Sequence, residues 1–181
     1  VLDGWTYDAV FRAIKTDMLF PPGTFASLAE ARYAMDKLEN VVLEYGIRGR
    51  RWTDGRRWKL NATTSLEDDP VVQGDQNTDE EEQIHEWRRL VVKPLHSLEK
   101  RLATAETIAD QGEALYYFLE ETKAAETLEG WREAAEKDGN PEKAREHGQL
   151  WDRVMDVLDQ LVEIVGSEPA DTSQFADLVT T

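Results

Sequence analysis

The sequence contains no cysteine, and this absence excludes several kinds of site at once. A chain without thiols has no disulfide framework, no thiolate-ligated zinc or iron–sulfur cluster, and no cysteine nucleophile. Long apolar runs are also missing, since no stretch approaches the roughly 20 residues that a membrane-spanning helix needs. No signal-peptide pattern opens the chain. We therefore predict a cytoplasmic protein that makes no contact with a membrane.

Sequence motifs for nucleotide binding and catalysis are missing too. There is no Gly-x-x-x-x-Gly-Lys-Ser/Thr phosphate loop, no Gly-x-Gly-x-x-Gly fingerprint and no Gly-x-Ser-x-Gly elbow. His85 can share a helix face with Glu82, but no second histidine lies at the four-residue spacing of a helical zinc site. Carboxylates are plentiful, yet nothing selects a converging pair. We predict no catalytic residue, no metal ligand and no cofactor in this chain, which is then not an enzyme by itself.

Charge is unevenly distributed along the chain. The formal net charge of −16 argues against a general nucleic-acid binder, because phosphates are recognised mainly through Lys and Arg. Between Arg48 and Lys59, however, six bases accompany one acid, whereas eight acids and no base lie between Glu67 and Glu82. A local basic surface can therefore exist on this acidic chain. We expect residues of about 67–77 to form an exposed acidic loop.

Apolar residues recur at helical spacing through most of the chain. Ser-x-x-Glu at Ser27 and Thr-x-x-Glu at Thr78 have the spacing of capping boxes, and Gly46 is placed to end the helix that Ser27 opens. Pro94 predicts a kink or a break in the helix that Thr78 opens. Three predicted helices cover about 7–15, 27–46 and 78–102. A fourth begins at Thr107, a fifth passes through Leu128, a sixth begins at Pro141 and a last one begins at about residue 171. We predict an all-α fold in a single domain, 1–181, with six or seven helices in an irregular bundle.

The segment 48–59 is the one constellation with recognisable binding chemistry. Asp54-Gly55 lies between Trp52 and Trp58 and is typical of a tight turn, so at most one short β-hairpin is expected near residues 50–60. Arginines make bidentate contacts with phosphates, and exposed tryptophans stack on unpaired bases. Alternatively, both tryptophans are core anchors and the arginines balance acids on neighbouring helices. The candidate DNA-binding residues are Arg48, Arg50, Arg51, Trp52, Arg56, Arg57 and Lys59.

Several blocks of sequence resemble a known family. They are residues 7–19, 36–53, 92–96, 114–119, 144–147 and 151–165. These blocks are similar to the central part of AddB, called RexB in some lineages, which is one of the subunits of the ATP-dependent helicase/deoxyribonuclease of Gram-positive bacteria. The resemblance covers essentially the whole chain except the acidic stretch at about 67–77. None of the blocks is a catalytic motif.

The resemblance implies a role that composition alone does not. AddB works with AddA to unwind and resect double-strand breaks for homologous recombination, and takes part in recognising Chi sequences. It is built as a superfamily 1 helicase followed by a nuclease domain with an iron–sulfur cluster. The present segment corresponds to the helical insertion in the second RecA-like lobe. ATP, Mg²⁺ and the cluster belong to other parts of the parent enzyme. The implied partners are DNA in the intact complex, the remaining lobes of AddB itself, and AddA.

Two hypotheses about function follow. The first is a non-catalytic accessory domain of AddB that holds or guides DNA and contacts neighbouring lobes during break resection. The second is an acidic, all-helical adaptor that binds a protein partner and makes no DNA contact. The first residue is Val1 rather than Met, and residues 175–181 end inside a helical pattern, so we expect a piece of a longer protein. Salt-dependent DNA binding distinguishes the two hypotheses.

Overall fold

The computed structural model describes residues 4–60, 73–169 and 171–180. Within these ranges it contains seven α-helices and no strand, which confirms the predicted all-α fold. The helices are α1 Tyr7–Ile14, α2 Leu28–Glu44, α3 Gln73–Thr104, α4 Ile108–Glu121, α5 Ala124–Lys137, α6 Pro141–Val165 and α7 Thr172–Thr180. Residues 50–60 hold no hairpin; a 3₁₀ turn, Gly49–Arg51, stands at the start of this stretch. No helix in the described ranges is long and apolar enough to cross a membrane.

The helix starts follow the capping signals in the sequence at most positions. The Ser27 hydroxyl accepts a hydrogen bond from the Glu30 N–H at 3.1 Å, and Asn140 caps α6 with Pro141 at its first position. After α2, Gly46 has a φ of +57°, a left-handed conformation that glycine adopts without steric cost. The start of α3 differs from the prediction, because the helix begins at Gln73 and not near Thr78.

Because α3 begins at Gln73, its first residues overlap the acidic loop predicted at about 67–77. Residues 73–77 are helical rather than part of a loop, while residues 67–72 lie outside the described residues. At the other end, α3 continues through Pro94, so the helix is not broken there, and a kink at Pro94 stays a prediction. The first turns of α3 contain Gln73 and Gln76. Glutamine has good intrinsic helix propensity, which favours a helix start before Thr78.

The contacts divide the chain into two compact units. The first comprises Val1–Thr16 and Phe25–Lys93, and the second comprises Asp17–Thr24 and Pro94–Thr181. The boundary falls inside α3, at Pro94. No linker composition marks this position, because the helix is uninterrupted there.

The first unit is built around α1, α2 and the amino-terminal part of α3. Glu39 on α2 ties α1 to it, since its carboxylate accepts hydrogen bonds from the Tyr7 hydroxyl and, at 2.9 Å, from the Lys15 ammonium. The buried apolar residues of this unit include Val10, Phe11, Leu38, Val42, Trp52 and Val91. Burial of these side chains is the main favourable contribution to the unit's stability.

The second unit packs α4, α5, α6 and α7 together. Ile108, Leu161 and Phe175 form a buried cluster that Leu115 and Val165 cover. The amino-terminal end of α4 is held by backbone hydrogen bonds to the segment after α6, from the Ile108 N–H to the Glu168 carbonyl at 3.1 Å and from the Ala109 N–H to the Gly166 carbonyl at 3.0 Å. These bonds satisfy donors that a helix start leaves without intrahelical partners.

Candidate functional site

The segment 48–59, called the basic loop below, is an ordered turn whose backbone is held at several points. The Gly49 N–H donates to the Trp5 carbonyl at 3.1 Å, and Gly49 has a φ of +58°. Further along, the Asp54 carboxylate accepts the Arg56 N–H at 3.0 Å, a local turn of the kind that Asp favours. Gly55 lies within it at a φ of +72°. The tight turn predicted at Asp54-Gly55 is therefore present, although no strand flanks it in the described part of the loop.

Both tryptophans of the basic loop lie in the core. Trp52 is 1% exposed and Trp58 is 6% exposed, and their ring centroids are 5.3 Å apart at 80°. This is an edge-to-face pair, an arrangement that aromatic rings prefer. Phe11 on α1 packs against Trp52 with centroids 6.2 Å apart. Neither tryptophan ring is exposed for stacking on a base, so the aromatic residues act as the core anchors of the loop.

Arg88, on α3, lies beneath the loop and is 2% exposed. Its Nε donates to the Trp52 carbonyl at 2.7 Å, and its Nη1 donates to the Arg56 carbonyl. Its Nη2 donates to Oδ1 of Asp54 at 2.9 Å. The guanidinium also lies over the Trp58 ring, 4.7 Å from the ring centroid. One buried cation thus satisfies two loop carbonyls and one carboxylate.

The pKa values around this cluster follow from burial and hydrogen bonding. Burial raises the pKa of Asp54, but hydrogen bonds from Arg56 and Arg88 outweigh it, so the net pKa lies below its ordinary value. Burial lowers the pKa of Arg88, and Asp54 opposes that change. Burial, followed by the charges of Arg88 and Arg57, lowers the pKa of His85. These effects favour the neutral form of the His85 imidazole. In the described residues no group of acids and histidines has the arrangement of a metal site.

The basic side chains of the loop are exposed. Arg57 pairs with Glu82 at 2.5 Å, and Nη1 of Arg51 donates to the Tyr45 carbonyl at 2.9 Å. These two contacts hold the loop to α3 and to the end of α2. No described residue forms an ion pair or a side-chain hydrogen bond with the remaining basic side chains of the loop, which are those of Arg48, Arg50, Arg56 and Lys59. Within the described part of the chain, Arg57 is therefore the one basic side chain of the loop that balances an acid of a neighbouring helix, as the core-anchor interpretation proposed.

A cavity of about 560 Å³ lies beside the basic loop within the first unit. Its walls include Thr53 and Gly55 from the loop and Leu90 and Val92 from α3. Three cationic side chains line it as well, those of Arg88, Arg89 and Lys93, together with one acid, Glu86. Arg88 is buried, but Arg89 and Lys93 are exposed and carry the basic surface of the loop onto α3, beside the exposed Glu86.

Arg88 was not among the candidate residues, although the sequence contains a signal for it. Taken alone, the dipeptide Arg88-Arg89 suggests two basic side chains that face solvent on a helix. Yet Ile84, Val91 and Leu95 are buried on α3, and Arg88 falls at helical spacing between them. A charged residue inside an apolar stripe indicates a buried, hydrogen-bonded cation.

Fold and site together define an all-α protein in which a basic loop is fixed over a tryptophan core. No family model matches the sequence. Curated relatives do: a Geobacillus thermodenitrificans protein is 42% identical over 99% of this chain, and a Bacillus subtilis protein is 39% identical over 99%. A protein from Listeria welshimeri is 40% identical over 100% of the chain. All three are named as the AddB component of an ATP-dependent helicase/deoxyribonuclease.

The resemblance to AddB is thereby confirmed, since almost the whole chain is homologous to one segment of that protein. The chain spans about 15% of the length of the Geobacillus and Bacillus relatives and about 16% of the Listeria relative.

Proposed function

We propose that this chain is a non-catalytic helical segment of an AddB-type helicase/deoxyribonuclease protein, and that its basic loop contacts DNA in the intact complex. The observation that carries the DNA contact is the exposure of Arg48, Arg50, Arg56 and Lys59 without ion pairs to described residues. The alternative, an acidic adaptor without DNA contact, has no comparable observation in its favour.

The fixed backbone of the loop supports this proposal. Because Arg88 and the buried tryptophans hold the loop, contact with phosphates requires ordering only the exposed side chains and not the backbone. Arginine is suited to the task, since its planar guanidinium binds phosphate through two parallel hydrogen bonds. The net charge of −16 keeps DNA away from other surfaces of the chain and confines the contact to the basic loop. Trp52 is left out of the proposed contact because its ring is buried.

The catalytic parts of the parent enzyme do not fit this segment. With no cysteine, the chain supplies no thiolate for an iron–sulfur cluster, and with no phosphate loop it has no cradle for ATP and Mg²⁺. We place these groups in other parts of the AddB polypeptide. The chain alone should show no ATP hydrolysis and no Mg²⁺-dependent DNA cleavage. Turnover that a substitution in this chain abolishes would contradict the proposal.

The proposal extends to the place of the segment in the whole enzyme. We infer that it is the helical insertion of the second RecA-like lobe, that it contacts the remaining lobes and AddA, and that it serves double-strand break resection in the cytoplasm. These inferences rest on the homology to AddB and on the family architecture that the resemblance implies.

The test of the DNA contact is a salt titration of binding by the intact complex. Arg48→Ala, Arg50→Ala and Arg56→Ala are combined, because these side chains are exposed and form no ion pair or side-chain hydrogen bond with a described residue. Each phosphate contact contributes roughly 0.7 to 0.9 to the slope of log affinity against log salt concentration, so the triple variant should bind more weakly and lose about two units of slope.

The matched control removes the same number of positive charges elsewhere. Lys137, Lys143 and Arg145 are exposed on α5 and α6, and their combined replacement by Ala should leave the slope unchanged. Equal losses in both variants would show a general charge effect and overturn the assignment to the basic loop. An unchanged slope in the basic-loop variant would favour the adaptor without DNA contact.

A further inference from the structure

The cavity beside the basic loop has the size and the lining of a ligand site. Its volume of about 560 Å³ lies within the range of roughly 300 to 1,000 Å³ that small-molecule sites occupy. Leu90 and Val92 supply aliphatic surface from α3, and Thr53 and Gly55 border the cavity from the loop. A Cβ on Gly55 would meet no atom within 4 Å, so the chain leaves open space at this residue. An organic group with an apolar face therefore suits the cavity better than a bare inorganic ion.

Two ring nitrogens of residues that line the cavity have no hydrogen-bond partner among the described residues. They are Nε1 of Trp52 and Nδ1 of His85. A buried donor without an acceptor costs free energy, which a ligand that supplies an acceptor would recover. Nδ1 of His85 can donate or accept, according to the tautomer. Because neither nitrogen contacts solvent, a ligand bonds to them only when the two rings tilt towards it.

The exposed charges of the cavity lining indicate what the ligand carries besides an apolar face. Arg89 and Lys93 are exposed, and neither forms an ion pair with a described residue. Both can bind a phosphate, and the exposed Glu86 can accept a hydrogen bond from an N–H group. A nucleotide combines the three features, since it joins a flat base with a polar edge to a phosphate.

We propose that this cavity binds one unpaired base of a DNA strand, while Arg89 and Lys93 hold the phosphate next to that base. The base lies against Leu90 and the His85 ring. Trp52 is not a stacking surface, because its ring is buried, and it contributes only its indole N–H. A paired base is excluded, since its edge and both of its faces are already occupied in the duplex.

The inference deepens the proposed function and rests on it. Contact of the basic loop with DNA brings a strand to the cavity, because Gly55 lines the cavity and the exposed Arg56 follows it directly. The loop arginines bind phosphates, which every nucleotide of a strand possesses. The cavity adds a contact with a base, so affinity for a strand should depend on the presence of bases as well as on salt.

Nuclear magnetic resonance on this chain at low salt concentration tests the base contact. The chain has three histidines, and His85→Phe identifies which imidazole signals belong to His85. A strand of thymidines and an abasic strand of equal length, with the same number of phosphates, are titrated separately. The His85 signals should shift with the thymidine strand and give a dissociation constant roughly tenfold below that of the abasic strand. Thymidine monophosphate should bind more weakly than the strand, because it lacks the neighbouring phosphates.

A matched pair of leucine variants locates the bound base. Leu90 lines the cavity and is 37% exposed, whereas Leu43, on α2, is 58% exposed and lies outside the cavity lining. Leu90→Ala removes apolar surface that the base covers, so the ratio of the two dissociation constants should fall towards one. Leu43→Ala should leave the ratio unchanged. Circular dichroism checks that both variants keep their helices.

Three results would overturn the proposal. His85 signals that respond equally to both strands, or to neither, would show that no base enters the cavity. A ratio that Leu90→Ala leaves unchanged would place the base elsewhere. Equal affinities for thymidine monophosphate and for the strand would assign the cavity to a free nucleotide. The ratio between strands with equal phosphates does not depend on the loop arginines, whereas the salt slope does, so failure of the base contact and failure of the loop contact give different results.

Discussion

Oδ1 of Asp54 and Nη2 of Arg88 meet at 2.9 Å across a separation of 34 residues. The pair joins the basic loop to α3, and the Asp54 carboxylate also closes the turn of its own loop through the Arg56 N–H. Because the Arg88 side chain is almost fully buried while that of Asp54 is 32% exposed, the two partners contribute unequally. Loss of Arg88 removes three hydrogen bonds, to two loop carbonyls and to one carboxylate, whereas loss of Asp54 removes only one of the three.

Arg88→Ala should lower the free energy of unfolding by roughly 3 to 5 kcal/mol, the range for removing one member of a buried ionic network. The two loop carbonyls and the Asp54 carboxylate lose their shared donor in this variant. Denaturant unfolding followed by circular dichroism measures the change. Arg89→Ala, at the next position and exposed, should change stability by less than about 0.5 kcal/mol. Similar stabilities for the two variants would show that the Arg88 contacts are not a support of the loop.

Asp54→Asn should destabilise the protein at pH 7, with a loss of about 1 kcal/mol after allowance for solvent screening. The pKa of Asp54 is lower in the folded state, so the carboxylate stabilises the fold above its unfolded pKa of about 3.9. That contribution is lost as pH falls through the folded pKa. The difference between wild type and Asp54→Asn should therefore shrink as the pH falls below about 4. A difference that stays constant from pH 7 to pH 2 would contradict this origin.

Trp52→Ala should cost roughly 3 to 5 kcal/mol, because it empties a fully packed site among Phe11, Trp5 and Trp58. Trp52→Phe retains part of this packing and should cost less. Circular dichroism is the suitable probe, since the substitution removes a fluorophore. Tyr33→Ala, at a residue that is 60% exposed, should cost less than about 1 kcal/mol. A Trp52→Ala variant as stable as Tyr33→Ala would show that the ring is not a core anchor.

Asn140→Ala should reduce stability by about 1 kcal/mol through the loss of the α6 cap. The Asn140 side chain accepts the Lys143 N–H at 3.1 Å, and the preceding chain offers no replacement acceptor in the described contacts. Glu146→Ala, at an exposed position in the second turn of α6, is the control and should leave thermal stability unchanged or slightly higher, since Ala favours helices. Thermal unfolding of the two variants provides the comparison.

The helices were predictable because their ends carry local signals. Ser27, Thr107 and Asn140 each accept a hydrogen bond from the first turn of the helix that follows. Such a bond depends on neighbours within three residues, which the sequence displays directly. The start of α3 was missed because the Thr-x-x-Glu signature at Thr78 lies inside a longer helix. A capping pattern shows where a helix can begin but does not prevent it from extending further back.

The candidate site was predicted in composition but not in arrangement. The sequence located the cluster of bases at 48–59, yet it left open whether Trp52 and Trp58 face solvent or the core. Their burial depends on Phe11 and Arg88, which lie far away along the chain. Long-range contacts of this kind have no signature in a local pattern.

Arg88 fixes the basic loop through groups other than the exposed basic side chains of that loop. It bonds to the backbone carbonyls of Trp52 and Arg56, atoms that every residue type possesses. The side chains at positions 48, 50 and 56 can therefore change identity over generations, or in the laboratory, while the course of the chain stays the same. The charge of the loop surface can therefore change without a change in its backbone, and the strength of an electrostatic contact made by the loop can vary independently of folding.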